Sequence, residues 1–79
     1  MDCSYDQLVE YVFIGHDIEF EYKDKMYSIT NTPNGYSFTE FYSDNPLTFK
    51  NPNELLDKVT IENKSLKDIW QDVEVHEIF

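Results

Sequence analysis

Asp17-Ile18-Glu19-Phe20-Glu21-Tyr22 alternates acid and apolar without a break. Successive side chains of an extended chain point to opposite sides, so Ile18, Phe20 and Tyr22 fall on one face and Asp17, Glu19 and Glu21 on the other. A helix would scatter both sets around its axis. The stretch therefore predicts a strand with one buried and one solvated face, the pattern of an antiparallel sheet. Lys23-Asp24-Lys25 has hairpin-loop length, and Met26 to Thr30 reads as the return strand with Tyr27 and Ile29 turned inward. Thr32-Pro33-Asn34-Gly35 predicts a second turn, because proline fixes φ and Asn-Gly tolerates positive φ. Tyr36 to Tyr42 follows as a third strand. Phe38 and Phe41 both call for burial there, and a bulge near Thr39-Glu40 would reconcile them.

Helices flank this meander. Upstream, Ser4 and Gln7 form the pattern of a capping box. Tyr5, Leu8, Val9, Val12 and Phe13 then recur at helical spacing, and Gly15 supplies a C-terminal stop, giving a helix from Tyr5 to Ile14. Downstream, Leu47-Thr48-Phe49 leads into a short helix with Asn51 as cap, Pro52 at its first position and Glu54 at its third. Leu55, Leu56 and Val59 form its apolar face. Val59-Thr60-Ile61 reads as extended, with a turn at Glu62-Asn63-Lys64. Ser65 then caps a third helix that turns Leu66, Ile69 and Trp70 inward, and Asp72 to Phe79 reads as a last strand. The expected fold is one α+β domain over residues 1–79: an N-terminal helix, a three-stranded antiparallel meander, two short helices and a C-terminal strand.

Composition narrows the function. Sixteen Asp and Glu oppose six Lys and no Arg, for a net charge of −10 in 79 residues that are nonetheless 16% aromatic. Disordered acidic chains lack such aromatics, so the charge sits on a folded surface. An anionic surface repels nucleic acid and membranes and attracts basic protein surfaces. Six Tyr, six Phe and one Trp would suit a base-stacking platform, but such platforms line basic grooves, and six scattered lysines build none. Most rings are core, with Phe41, Tyr42 and Phe79 the candidates for an exposed contact. One cysteine, Cys3, provides no disulfide framework and fits a reducing compartment. No basic stretch precedes an apolar run at the start, and no run approaches membrane-spanning length, so a cytoplasmic protein is expected.

Catalytic candidates are thin. Asp2 and Asp6 beside Cys3 would raise its pKa, the wrong direction for a nucleophile. With only Gly15 and Gly35, no phosphate-cradling loop exists. His16-Asp17 and His76-Glu77 are the only pairings of imidazole with carboxylate along the chain, and no zinc-type spacing joins them, so neither cofactor nor metal is expected. The chain reads as a non-enzyme.

The charge pattern is the sharper signal. Asp17, Glu19 and Glu21 would stand roughly 6.8 Å apart along the strand, of the order of phosphate spacing on one nucleic-acid strand. Asp72, Glu74 and Glu77 extend the row if the last strand lies beside the first. The bland alternative is a solvated face whose charge keeps a sheet edge from aggregating.

Several stretches resemble a family of small uncharacterised acidic proteins from Gram-positive bacteria and their phages. They are Ile14-Gly15-His16-Asp17-Ile18-Glu19-Phe20-Glu21-Tyr22, Tyr27-Ser28-Ile29, Glu54-Leu55-Leu56 and Lys64-Ser65-Leu66-Lys67-Asp68-Ile69-Trp70. The resemblance implies a compact α+β domain and a phage or mobile-element origin, and it implies no activity or site. The expected function is an acidic protein-binding domain, a phage-type inhibitor that mimics DNA toward a basic nucleic-acid-binding protein such as a nuclease, a restriction or CRISPR effector or a repair enzyme. The alternative is a structural or regulatory module that docks, or forms a homodimer, through a sheet edge and exposed aromatics.

Overall fold

A computed structural model describes residues 2–79, and the local signals place most elements where the sequence reading does. Helix α1 spans Tyr5–Ile14; the Ser4 side chain accepts from Gln7 N–H, the Gln7 side chain returns to Ser4 N–H, and Gly15 closes the helix at φ 106°. Strands β1 (Ile18–Tyr22), β2 (Lys25–Thr32), β3 (Gly35–Glu40) and β4 (Leu47–Phe49) follow. Then come α2 (Pro52–Lys58), capped by Asn51, a small hairpin of β5 (Thr60–Ile61) and β6 (Lys64–Ser65), and α3 (Leu66–Ile69), capped by Ser65. A 3₁₀ turn, Trp70–Asp72, leads into β7 (Glu74–Ile78). The main sheet has order β4-β3-β2-β1-β7 and every pairing is antiparallel. This is the expected α+β class.

Four details differ from the sequence reading. Leu47–Phe49 is a strand paired with β3, so the meander has four strands; a strand of three residues is too short to show alternation. No bulge occurs at Thr39-Glu40, because β2 and β3 pair in unbroken register from Tyr27↔Glu40 to Thr32↔Gly35. Phe38 turns inward and Phe41 follows the strand, its N–H bonded to Met26 O. Phe13 is 49% exposed, since α1 buries only the Leu8–Val12 line and Phe13 lies a quarter-turn away. The last strand begins at Glu74, with Asp72 left in the 3₁₀ turn.

The core forms between one face of the sheet and all three helices. Ile18, Phe20, Tyr22, Tyr27, Ile29, Phe38 and Val75 meet Leu8, Val12, Leu55, Leu56, Leu66, Ile69 and Trp70. Within each strand these residues alternate with outward ones, and the registers put them all on one face, so the helices lie on one side and the other side of the sheet stays open. The Trp70 ring stands edge-on to Phe20 at 5.2 Å, and its Nε1–H donates to Cys3 O at 2.8 Å, tying down the start of the chain.

Turn chemistry fixes the register. Lys23 (φ 50°) and Asp24 (φ 65°) make the two-residue β1–β2 turn, and Glu62 (φ 54°) and Asn63 (φ 67°) make that of β5–β6; positive φ at both central positions matches the twist of antiparallel hairpins. At Pro33-Asn34 the positive φ falls on Gly35 alone, at 134°. A side chain at Gly35 would also run into the Phe49 carbonyl oxygen of β4. Gly35→Ala is therefore expected to lose about 2 kcal/mol or more, by combining a disfavoured backbone conformation with displacement of the edge strand. Urea unfolding checks this, and a loss under about 0.5 kcal/mol would contradict it.

A candidate docking face on the open side of the sheet

Strand pairing assembles the acids. Because β7 lies beside β1, Glu19 stands directly opposite Glu77 and Glu21 directly opposite Glu74. Residues in register across an antiparallel pair point to the same side, with Cα atoms about 4.5–5.5 Å apart. The inward partners in the same ladder are Ile18↔Ile78 and Phe20↔Val75, so all four glutamates project from the open face. The register shifts by one residue between Glu19 and Phe20, which makes His76 the extra residue of a bulge in β7. Without that bulge, Glu77 would follow the strand period onto the helix side; with it, Glu74, His76 and Glu77 all face out.

The acidic half grades into a flat hydroxyl half. The row Glu77–Glu19 continues into Ser28 on β2 and Thr39 on β3, and the neighbouring row runs Thr30–Ser37–Thr48 across β2, β3 and β4. Met26, opposite Glu21, is the one apolar side chain of β2 on this side. Among the described residues the helices pack on the other face of the sheet.

Neutralising groups are nearly absent. Among the described residues the only lysine ion pair is Lys23–Glu62 at 3.1 Å, at the opposite end of β1 from Asp17. On the acidic face the sole cationic candidate among the described residues is His76, whose Nε2–H donates to Glu21 Oε1 at 2.9 Å and lies 3.4 Å from Glu74 Oε2. Like charges directly opposite each other destabilise a ladder, and this one contains two such pairs side by side.

The remaining sequence candidates fall elsewhere. Asp17 precedes the strand, and its Oδ1 accepts the Asn31 N–H at 2.9 Å, closing the end of the β1–β2 ladder. Asp72, exposed in the 3₁₀ turn, lies outside the β1–β7 ladder. The single row of three acids on one strand is thus a two-by-two array on two strands. His16 is a structural tether: its Nδ1–H donates to the Phe79 backbone oxygen at 2.9 Å, while Phe79 N–H donates to Asp17 O at 2.8 Å. Sequence reasoning placed His76 with Glu77 and missed its contacts with Glu21 and Glu74, because the bulge that aims it leaves no mark in the sequence.

Two other surfaces stand apart from this face. Burial pushes the Cys3 thiol above its ordinary pKa, which leaves it less thiolate. A groove of about 390 Å³ opens between Tyr27, Phe38 and Leu47 of the sheet and Ile61 of the small hairpin, with Lys25 and Glu62 at its rim. No helix among the described residues is long and apolar enough to cross a membrane. Comparison with known protein families, with curated proteins and with solved structures finds no match to this chain.

Proposed function

We propose that this chain is a non-enzymatic binding domain that presents the Glu19, Glu21, Glu74 and Glu77 array to a basic protein surface built for nucleic acid. The observation that carries the reading is the pair of like-charge oppositions, Glu19↔Glu77 and Glu21↔Glu74, held without a lysine partner. A fold selected only for stability would gain by placing a lysine in either position of each pair, as cross-strand opposite charges stabilise a ladder. Placed together on a rigid sheet, the four fields add, which is how charged surfaces steer and hold partners of opposite sign.

Carboxylates at strand spacing occupy the places of phosphates, so the partner is a nucleic-acid-binding protein and the mode of action is competitive occupancy. Nuclease, restriction, CRISPR-effector and repair surfaces have the required basic grooves. The lone cysteine, with no disulfide framework, suits an inhibitor acting in the reducing cytoplasm. The same charge argues against direct binding to nucleic acid or to anionic membrane.

A second reading draws on exposed apolar groups. Phe13, Ile14 and Phe79 are 49%, 66% and 65% exposed, and the His16 tether holds Phe79 beside the end of α1. Docking there would be led by apolar contact. Pairing of two β7 edges into a homodimer is less favoured, because charge and a bulge on an edge strand both oppose edge-to-edge pairing.

Elution separates the two readings. With the protein immobilised and exposed to bacterial lysate, duplex DNA at constant ionic strength is expected to release the captured protein, which should itself bind nucleic acid. Retention through the DNA wash, with release only by detergent, would contradict the acidic-face reading and favour the apolar one.

A further inference from the structure

One N–H cannot satisfy two carboxylates. His76 Nε2 faces Glu21 Oε1 at 2.9 Å and Glu74 Oε2 at 3.4 Å, and the three donor atoms all lie within 4.8 Å of one another. The single Nε2 proton goes to Glu21, and the Glu74 carboxylate, 3.4 Å from the same nitrogen, converges on that point. We propose that Glu21, Glu74 and His76 form a binding site for a divalent transition ion of the zinc class. The inference is independent of the docking reading, since it concerns the free protein.

Geometry and ligand chemistry both support it. With metal–ligand bonds of about 2.0–2.2 Å, two ligands of a tetrahedral zinc ion lie about 3.4 Å apart, and cis ligands of an octahedral ion about 2.9 Å apart. The two contacts to His76 Nε2 fall in that range, so an ion entering needs the imidazole proton moved off Nε2 and small side-chain adjustments within a cluster already 4.8 Å or less across. The neutral imidazole would then carry its one N–H proton on Nδ1 and offer the Nε2 lone pair. Two carboxylates and one imidazole leave further coordination positions to water, the pattern of an open site. Imidazole selects zinc and its neighbours over calcium and magnesium, which prefer oxygen alone. The ligands come from paired strands, Glu21 from β1 and Glu74 and His76 from β7, so the sheet holds their backbones before the ion arrives. All three side chains reach solvent, so the ion has an entry path.

Calorimetric titration with zinc chloride, with calcium chloride as the comparison, tests the site. Expected are one zinc per chain, much weaker calcium binding, and a loss in zinc affinity of at least about tenfold in His76→Ala and in Glu74→Gln. Glu77→Gln removes an equal charge from the same face without touching the ligands, and His16→Ala removes the other histidine; both should stay within about threefold of wild type. Proton NMR of the wild-type protein should show the His76 ring signals, and not those of His16, moving to a new position that saturates at one equivalent. Zinc binding by His76→Ala as tight as wild type would overturn the proposal. So would equal losses in Glu74→Gln and Glu77→Gln, which would mean diffuse attraction to a negative surface, or an unmoved His76 ring.

Discussion

Replacing Phe20 with alanine is expected to remove most of the folding stability. Phe20 is fully buried in the middle strand of the β2-β1-β7 triplet, and its ring meets those of Tyr27, Phe38 and Trp70 at 5.5, 6.3 and 5.2 Å. Phe→Ala in a core costs about 3–5 kcal/mol, the lost transfer energy plus the cavity left behind. The upper part of that range applies here, because the cavity is walled by a sheet on one side and three rings that cannot fill it without leaving their own contacts. A chain of this length has a total stability of roughly 4–12 kcal/mol. The melting temperature should fall by about 15–30 °C, or the chain should fail to fold at all. Phe20→Leu, which keeps the site apolar and partly filled, should fold with a much smaller loss. A fall of less than about 5 °C in Phe20→Ala would place the ring outside the core and contradict the packing of β1 against the helices.

The centrality of Phe20 is readable from the sequence because the alternation of β1 is complete. Period-2 patterning and capping are local signals, and they carried the elements they govern: α1 from Ser4, Gln7 and Gly15, α2 from Asn51 and Pro52, α3 from Ser65. What failed was decided by neighbours. Leu47–Phe49 is a strand only because β3 offers it a free edge. The exposure of Phe13 depends on how narrow a strip of α1 the sheet and α2 cover. Phe41 needed no bulge, because it could leave the strand at its end.

The candidate site shows the same division. That Glu19 and Glu21 share a face follows from the strand period alone. That Glu74 and Glu77 join them depends on β7 pairing with β1 and on the bulge at His76, which are properties of two strands together. The displacement of Asp17 from the row is a matter of competition: its carboxylate finds the Asn31 N–H, and a backbone donor held in place is a better partner than open solvent. Asp72 was lost when the 3₁₀ turn took the first residues assigned to the last strand.

The second large effect is a reversal of charge that moves stability and binding in opposite directions. In the Glu19→Lys, Glu21→Lys double variant each like-charge opposition with Glu77 and Glu74 becomes an opposite-charge pair, while the inward faces of β1 and β7 are untouched. Two such cross-strand changes contribute about 0.2–1 kcal/mol each, so the variant should melt a few degrees higher than wild type at low salt. Added salt screens both terms and should narrow that gap. Binding should go the other way, since the variant carries positive charge where the partner's basic groups arrive. A loss of two carboxylates and a gain of two ammonium groups at the centre of a charge-led interface should reduce retention of the captured partner by about a hundredfold or more. A surface kept only for solubility would show the gain in stability and no loss of binding. The direct measurement is the dissociation constant of the captured partner for wild type and for the double variant, at equal low salt and with both proteins shown to be folded. The account predicts a more stable variant that no longer binds; a variant that binds as tightly as wild type would contradict it.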